Sequence, residues 1–505
     1  MTSMPNQSSE DMREGVPVRL VLISVAITLL FASLGQTIVS PALPIITADL
    51  GGLEHLSWAI TAYLLASTVA APISGKLGDL YGRRIVMQGA IFVFVVGAII
   101  GGTAWNFGML IAGRAVQGMG AGSLIVLAMA VVADVLPARE RGKAQGILGA
   151  AFGISTAIGP LLGGVLVETL GWHSIFFVNL PVGLAALIVL SIALPGMPGH
   201  GKRSIDYAGG ALLALFLSSA VLISNMGGNL LPWASLGMAA LIAVAIGSLV
   251  GFVMAERRAP EPILPLGLFT NNTFVVVNAV GFMVGTAMFG TITFLPLFLQ
   301  VAKAVTPTVS GLFLLPMMAG LIVSSNLAGV AMARTGRYRV MPILSTGLLS
   351  VSMLYLATID GHSSLWLIGA ALLGVGIGLG PVFSIGVAAI QNAVPMSMLG
   401  VGTASANMFR LIGGAIGTAL FGAIFAAGLS RNLEGVLPES AGHGLSSMRP
   451  AMVNALPESA RELVIAGMSQ ALHPVFFIGA GMALLACIVS TRLKELPLAT
   501  ELPGR

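Results

Sequence analysis

Fourteen long apolar segments, each about the length that crosses a lipid bilayer, divide this chain of 505 residues. A transmembrane helix needs about 20 consecutive, mainly apolar residues. By that rule the predicted spans are 18–40, 56–76, 85–105, 108–133, 143–167, 174–195, 207–226, 233–255, 273–300, 309–333, 340–359, 365–389, 399–428 and 472–491. Only 9% of the residues are charged, against about 25% in soluble domains, which excludes a soluble protein. The sequence predicts an all-α integral membrane protein.

The positions of the basic residues predict how these spans are oriented. Lys and Arg concentrate in the cytoplasmic loops of membrane proteins. With a cytoplasmic N-terminus, only four of the 24 basic residues fall in outer loops, and Arg114 and Arg410 fall inside spans. The four are Lys303, Arg431, Arg449 and Arg461. Because one missed or invented span would invert every later loop, this bias predicts fourteen spans with both termini in the cytoplasm.

Several classes of function are disfavoured by composition. The single cysteine, Cys487, lies in the last apolar segment, so we expect no intrachain disulfide and no cysteine-based zinc site. The basic residues are scattered over short loops, which argues against nucleic-acid binding. No nucleophile–base pair, metal-ligand cluster or ATP-binding G-x-x-x-x-G-K-[ST] motif stands out. We therefore expect no enzyme, no metal, no cofactor and no ATP-driven pumping by this chain.

Residues 75–84, with the sequence GKLGDLYGRR, place four charges and three glycines between two spans. Charges are costly near lipid, so we expect a tight turn that faces water. The segment resembles the loop between spans 2 and 3 of the major facilitator superfamily, G-x-L-x-D-x-x-G-R-R/K, with every fixed position filled. The resemblance implies a transporter in which Gly75, Asp79, Gly82, Arg83 and Arg84 form a latch on the cytoplasmic side. A helix terminus of the opposite bundle is its expected partner.

Two further motifs are similar to the same superfamily. In span 4, residues 110–122 resemble L-x-x-x-R-x-x-q-G-x-g-a, which implies a part in proton relay for Arg114. The alternative is a structural arginine that is bound to backbone carbonyls. In span 5, the segment Gly159-Pro160-Leu161-Leu162-Gly163-Gly164 resembles the antiporter motif of exporters and implies a hinge. Glycines allow close helix packing, and proline loosens the backbone.

Two later segments resemble the fourteen-span drug:proton antiporters of the EmrB/QacA group. Residues 171–183 match G-W-R-W-i-F-x-i-N-x-P-x-G, except that His173 and Ser174 replace Arg and Trp. Residues 409–417 in span 13 match f-R-x-l-G-G-x-x-G and contain a second intramembrane cation, Arg410. A transport role and a structural bond to a carbonyl are both open for this arginine.

Span 1 departs from the group's pattern, L-D-x-T-I-V-N-x-A-L-P. Gly35 stands where the acid is expected, and no other acid lies deep in a predicted span. Because a cation in a dry cavity needs a counter-charge, we expect neutral or anionic amphiphiles as substrates rather than dicationic dyes. The candidate substrate-cavity residues are Gly35, Gln36, Asn278, Asn326, Asn407 and Arg410. An interhelical hydrogen bond is the alternative role of each asparagine.

The order of the segments predicts two six-helix bundles with two inserted helices. Residues 329–339 look like a degraded copy of residues 75–84 that lacks the acid, as expected of an internal repeat. Repeat-built transporters bind substrate between the repeats near the midplane. The predicted division is a tail (1–17), an N-terminal bundle (18–195), a linker with the inserted helices (196–258), a C-terminal bundle (259–491) with an outer loop (429–471), and a tail (492–505).

The resemblance implies a secondary multidrug or amphiphile efflux transporter of the bacterial cytoplasmic (inner) membrane. It would exchange substrate for protons by alternating access, with the proton gradient as its energy source. A solute facilitator or importer of the same superfamily would share residues 75–84 but lack G-P-x-x-G-G. A non-transporting sensor or scaffold would explain the lost acid but usually carries an added soluble domain. The expected partners are small amphiphiles, protons, the lipid bilayer and, at the outer loop, a periplasmic adaptor.

Overall fold

The computed structural model describes residues 18–39, 42–50, 56–194, 206–227, 231–305, 307–433 and 458–498. Its α-helices, in chain order, are α1 Val18–Thr37, α2 Leu43–Leu50, α3 Leu56–Tyr81, α4 Arg83–Gly102, α5 Phe107–Val135, α6 Ala138–Leu170, α7 Ser174–Phe177, α8 Asn179–Ala193, α9 Tyr207–Met226, α10 Leu236–Glu256, α11 Asn272–Ala302, α12 Pro307–Leu312, α13 Leu315–Thr335, α14 Val340–Leu356, α15 Leu365–Ala393, α16 Leu399–Leu433 and α17 Glu458–Ser490. No strand occurs in these ranges, so the all-α class is confirmed.

The number of long apolar helices is close to the predicted number of spans. Thirteen helical segments of the described chain are long and apolar enough to cross a membrane. The remaining predicted span, 340–359, corresponds to α14, an apolar helix of 17 residues. At about 1.5 Å per residue this helix is slightly shorter than the bilayer core of about 30 Å.

Two bundles are formed by these helices. In the first, α5 packs against α3 and α4, and α1 packs against α6. In the second, α13 packs against α15, and α11 packs against α16 and α17. Close approach depends on small residues, as at Gly118 and Gly122, where an added Cβ would collide with the carbonyls of Tyr63 and Ser67. The inserted helices α9 and α10 pack on each other, and α9 also contacts α3 and α16.

The prediction of a tight turn at residues 75–84 was wrong in its extent. Helix α3 continues to Tyr81, α4 begins at Arg83, and Gly82 alone separates them with φ of 89°. This left-handed backbone suits glycine because it has no Cβ. The helix continues through the charged residues because Asp79 and Arg83 bond to each other and to neighbouring helices, so they need no water-filled turn.

The predicted outer loop, 429–471, is also shorter than expected. Helix α16 extends to Leu433 and α17 begins at Glu458, so helices occupy both ends of that segment. The Asn432 side chain donates to the Gly467 carbonyl at 3.0 Å, and Gly428 packs against Ala471. These contacts let the helices run past the apolar stretches that defined the predicted spans. Residues 434–457 lie outside the described ranges.

Candidate functional site

The two bundles meet at the end of the helices that carries Gly82, Arg139 and Arg339, here called the basic end. The opposite end, which carries Trp172, is called the far end. Trp172 donates to Asp49 there at 2.8 Å and stacks on His173.

Asp79 of α3 holds the first residues of α16 across the boundary between the bundles. Its two carboxylate oxygens accept the backbone N–H groups of Gly400 at 2.9 Å and Val401 at 3.0 Å. The first N–H groups of a helix lack intrahelical partners and carry a partial positive charge, so a buried carboxylate is a matched cap. Gly75 makes this approach feasible because an added Cβ would meet the Gly400 carbonyl and Ala404.

Arg83 fixes the Asp79 carboxylate in place. Its Nη2 donates to Asp79 at 2.8 Å, and its Nε donates to Asp134 at the end of α5. All the parts of this network except Asp134 are buried. Asp79 and Arg83 are therefore joined to each other, to the start of α16 and to Asp134, which the motif does not include. Arg84 is half-buried beside them. The latch role stays a prediction.

A second polar contact between the bundles has the opposite arrangement of charge to the one at Asp79. These two contacts are called the crossings. Arg139, at the start of α6, donates through Nε to the Ala333 carbonyl at 2.6 Å and through Nη2 to the Arg334 carbonyl at 2.8 Å. These carbonyls end α13, where a helix carries partial negative charge. Gly142 and Gly329 allow the contact, since a Cβ on Gly329 would collide with the backbone of Gly142. An acid thus caps a helix start at one crossing, and an arginine caps a helix end at the other.

Arg141 adds a buried tie between two helix ends. Its guanidinium donates to the carbonyls of Ala133 at 2.9 Å and Leu136 at 3.1 Å, at the end of α5. It also donates to the Gln391 carbonyl at 2.7 Å, at the end of α15 in the other bundle. One cation therefore satisfies carbonyls that their own helices leave unpaired.

A layer of glutamines lies next to Arg141. The Gln391 amide donates to the Met129 carbonyl of the first bundle and to Thr403 Oγ1 of the second, both at 2.9 Å. Gln145 donates to the same Met129 carbonyl at 2.9 Å. These hydrogen bonds hold the two bundles together on the side of Arg141 that faces the far end.

In the degraded copy of the motif, residues 329–339, the turn is bound by an acid from the segment that follows α17. Glu495 accepts the backbone N–H of Tyr338 at 2.8 Å, in the turn between α13 and α14. The Tyr338 hydroxyl donates to the Lys494 carbonyl and accepts the Leu496 N–H. Burial raises the pKa of the Tyr338 phenol above its ordinary value. The segment after α17 therefore supports this turn.

Arg114 is only 1% exposed and is bonded mainly to main-chain carbonyls. It donates to Gly35 at 2.8 Å, to Ala59 at 3.2 Å and to the Gln117 side chain at 2.7 Å, and it lies 4.2 Å from the centre of the Tyr63 ring. No carboxylate of the described chain forms an ion pair with it. This is the geometry of the structural alternative, in which one arginine joins α1, α3 and α5. A part in proton relay stays a prediction.

Gly35 lies inside the first bundle rather than on its surface. A Cβ there would collide with the Phe94 ring and would also approach the Gln117 amide. The carbonyl of Gly35, not a side chain, faces Arg114. The space that an acid would need at this position is therefore occupied by Phe94. The neighbouring Gln36 is half-buried.

The antiporter motif lies within the unbroken helix α6, which contains Pro160. Gly159 packs so closely on α1 that an added Cβ would collide with Thr37 Oγ1. Gly163 is buried, whereas a Cβ on Gly164 would meet open space. Close helix packing thus explains Gly159, and the predicted hinge stays a prediction.

The candidate residues of the second bundle fall into two groups. Asn278 is buried within the bundle and donates to the Phe274 carbonyl at 2.8 Å. Asn326 and Asn407 face the other bundle, where they contact the Gly146 carbonyl at 3.3 Å and Met129 Sδ at 3.4 Å. Arg410 is half-buried beside Asn407.

The boundary between the bundles opens towards the far end. On α5, Val126 packs against Ala404 of α16. Met119, two turns nearer the far end on the same face, is 43% exposed. The hydrogen bonds between the bundles in the described ranges all lie between the basic end and the level of Asn407. The described structure is therefore closed at the basic end.

Sequence reasoning missed Arg139 and Arg141 as contact residues. The cluster of basic residues at 139–143, next to a helix start, is the signal that could have identified both. Gln391 does carry a signal, because a polar residue at the end of a predicted span commonly forms an interhelical hydrogen bond, and the structure shows one to the Met129 carbonyl.

Known proteins are similar to this chain in sequence. Residues 25–418 match the family model described as Major Facilitator Superfamily. An uncharacterised MFS-type transporter of Mycobacterium tuberculosis, Rv1877, is 38% identical over 95% of this chain and 70% of its own length. The multidrug transporter protein MdtP of Bacillus subtilis is 33% identical over 95% of this chain and 94% of its own.

Solved structures agree at the level of the fold. The human organic anion transporter MFSD10 (TETRAN) superposes with a TM-score of 0.64 and 16% identity, covering 94% of this chain and 99% of that one. The proton:xylose symporter XylE superposes with a TM-score of 0.62 and 12% identity, covering 93% and 94%. A family match over most of the chain, relatives along nearly its whole length and a shared fold lead to one conclusion: the chain belongs to the major facilitator superfamily of membrane transporters.

Proposed function

We propose that this protein exports small amphiphilic compounds by alternating access, driven by proton entry. The observation that carries the proposal is the cap that Asp79 forms on Gly400 and Val401, which joins the two bundles at one end only. A polar contact at a bundle boundary can break and re-form as the bundles rock. Export is supported by the G-P-x-x-G-G segment in α6 and by the similarity to a multidrug transporter.

The basic end is proposed to face the cytoplasm. Lys and Arg concentrate at this end, as expected for cytoplasmic loops. The described structure then represents the state that is closed to the cytoplasm and open outwards. A bacterial cytoplasmic membrane is the proposed location, in keeping with the bacterial relatives.

Rocking of the bundles would act on both polar crossings together. Opening the cytoplasmic side must remove Asp79 from the start of α16 and Arg139 from the end of α13. Either separation removes backbone hydrogen-bond partners from a charged side chain until water replaces them. The two crossings therefore stabilise the outward-open state, and substrate binding from the cytoplasm must offset their loss.

The test is proton movement in proteoliposomes with an imposed pH gradient. Cationic, neutral and anionic amphiphiles are added in turn, and collapse of the gradient is followed. Asp79→Asn is the test variant, and Asp360→Asn is the matched control because Asp360 bonds only within its own exposed turn in the described structure. We expect collapse that is reduced in Asp79→Asn and retained in Asp360→Asn. Absence of both substrate flux and proton movement for every compound would overturn the proposal.

A facilitator without proton coupling is the second candidate. It is favoured by the absence of an acid at Gly35 and by the carbonyl partners of Arg114. In the same proteoliposomes, substrate flux that follows its own gradient and leaves the pH gradient intact would establish this alternative.

A further inference from the structure

Arg410 lies inside the predicted span 399–428 and close to the boundary between the bundles. It is eleven residues from the start of α16, or about 16 Å along the helix, which is roughly half of the apolar core. Its neighbour Asn407, one helical turn away, touches Met129 Sδ of the opposite bundle at 3.4 Å. Midway between two repeats is where transporters of this architecture hold their substrates.

The guanidinium of Arg410 has donors that its surroundings do not use. Nη2 donates to Asn407 Oδ1, and the group lies 3.9 Å from the centre of the Phe383 ring. It makes no other hydrogen bond or ion pair within the described ranges. Arg114 and Arg141, by contrast, are almost fully buried and each makes three hydrogen bonds. Since a guanidinium carries five N–H groups, Arg410 can bind a further acceptor.

The charge of Arg410 also lacks a partner. No carboxylate of the described chain pairs with it, and its side chain is half-buried at a depth where an isolated cation is costly. Contact with the Phe383 face offsets part of this cost. A bound anion would offset more of it, because charge-assisted hydrogen bonds are about twice as strong as neutral ones.

We propose that Arg410, Asn407 and Phe383 form the subsite for a carboxylate group on an aromatic or aliphatic substrate. This inference rests on the proposed export of amphiphiles and narrows it to carboxylates. The free guanidinium edge offers the paired N–H geometry that suits a carboxylate. The Asn407 amide orients the guanidinium, and the Phe383 ring and the Met129 thioether offer apolar contact to the body of the ligand.

Binding to the purified full chain in lipid nanodiscs tests the subsite. The probes are three compounds with one naphthyl skeleton that carry a carboxylate, its methyl ester or a primary amine. The wild type is expected to bind the carboxylate about 10- to 100-fold more tightly than the ester, as one charge-assisted contact predicts. Arg410→Gln should abolish this preference by weakening carboxylate binding much more than ester binding, while Arg410→Lys should keep part of it.

Arg258→Gln is the control, because it removes an exposed cation far from the subsite in sequence. Thermal melting and size-exclusion profiles of each variant show whether it is folded. Equal affinity of the wild type for carboxylate and ester, or an equal loss of both in a folded Arg410→Gln, would overturn the subsite. Transport by proteoliposomes is a separate measurement, so carboxylate binding without transport would reject the proposed export and leave the subsite standing.

Discussion

Asp79 caps the backbone of Gly400, a residue 321 positions further along the chain and in the opposite bundle. The carboxylate replaces the partner that the first N–H groups of α16 lack, and Arg83 holds it in position. The contact is buried, so breaking it exposes a charge and two helix donors at once. It is therefore suited to stabilise the conformation that is closed at the basic end until a competing interaction breaks the contact.

Replacing Asp79 by Asn should favour separation of the bundles at the basic end. The amide keeps one acceptor oxygen but loses the charge, which weakens the closed state by about 2 kcal/mol, or roughly 30-fold in the equilibrium. Spin labels at the exposed Tyr81 and Met396, in a Cys487→Ser background, report the distance by pulsed electron paramagnetic resonance. We expect a longer-distance population to grow, and no such growth in Asp360→Asn. Unchanged distances in Asp79→Asn would contradict the latch.

Replacing Arg139 by Gln should act in the same direction at the other crossing. The variant loses the cation that caps the end of α13, and labels at the exposed Glu140 and Arg337 follow that crossing. Because the two crossings join the same two bundles and share no hydrogen-bonded residue, the free-energy changes in the Asp79→Asn/Arg139→Gln double variant should add. Clear non-additivity between the two would show that they do not report one rocking motion.

Replacing Arg114 by Met should lower stability rather than affect proton movement alone. The change removes the two hydrogen bonds that join α5 to Gly35 of α1 and Ala59 of α3, and a third to Gln117 of α5 itself, at about 1.5–3 kcal/mol for each bond from a charged donor. Thermal melting in detergent checks the loss, with Arg114→Lys expected to be intermediate. A fully stable Arg114→Met that binds substrate but moves no protons would instead support the relay role.

Replacing Gly35 by Ala should destabilise the first bundle because of the Phe94 ring. Overpacking of this kind costs about 1–3 kcal/mol, and Phe94→Leu should recover part of it in the double variant. The melting temperatures of the two single variants and the double variant form the measurement. If Gly35→Ala melts like the wild type, Phe94 has room to move and an acid could be accommodated there as well.

The apolar segments and the positions of charged residues were enough to predict the all-α class and, to within one, the number of long apolar helices in the described chain. Membrane-crossing helices need a long uncharged stretch whatever their neighbours are, so this property is local to the sequence. Residues 75–84 likewise located the contact region, because four charges between two spans require partners or water. The same local reasoning misplaced the end of α3, since it assigned the charges to water and not to one another.

Only the tertiary structure decided which charged residues meet across the boundary between the bundles. Asp79 reaches α16, and Arg139 reaches α13, through contacts more than 190 residues apart in the chain. The two intramembrane arginines look equivalent in sequence, yet Arg114 is enclosed by carbonyls while Arg410 retains free donors. A side chain's chemistry comes from the sequence, but its unused bonding capacity depends on which distant helices pack around it, and that is a property of the fold.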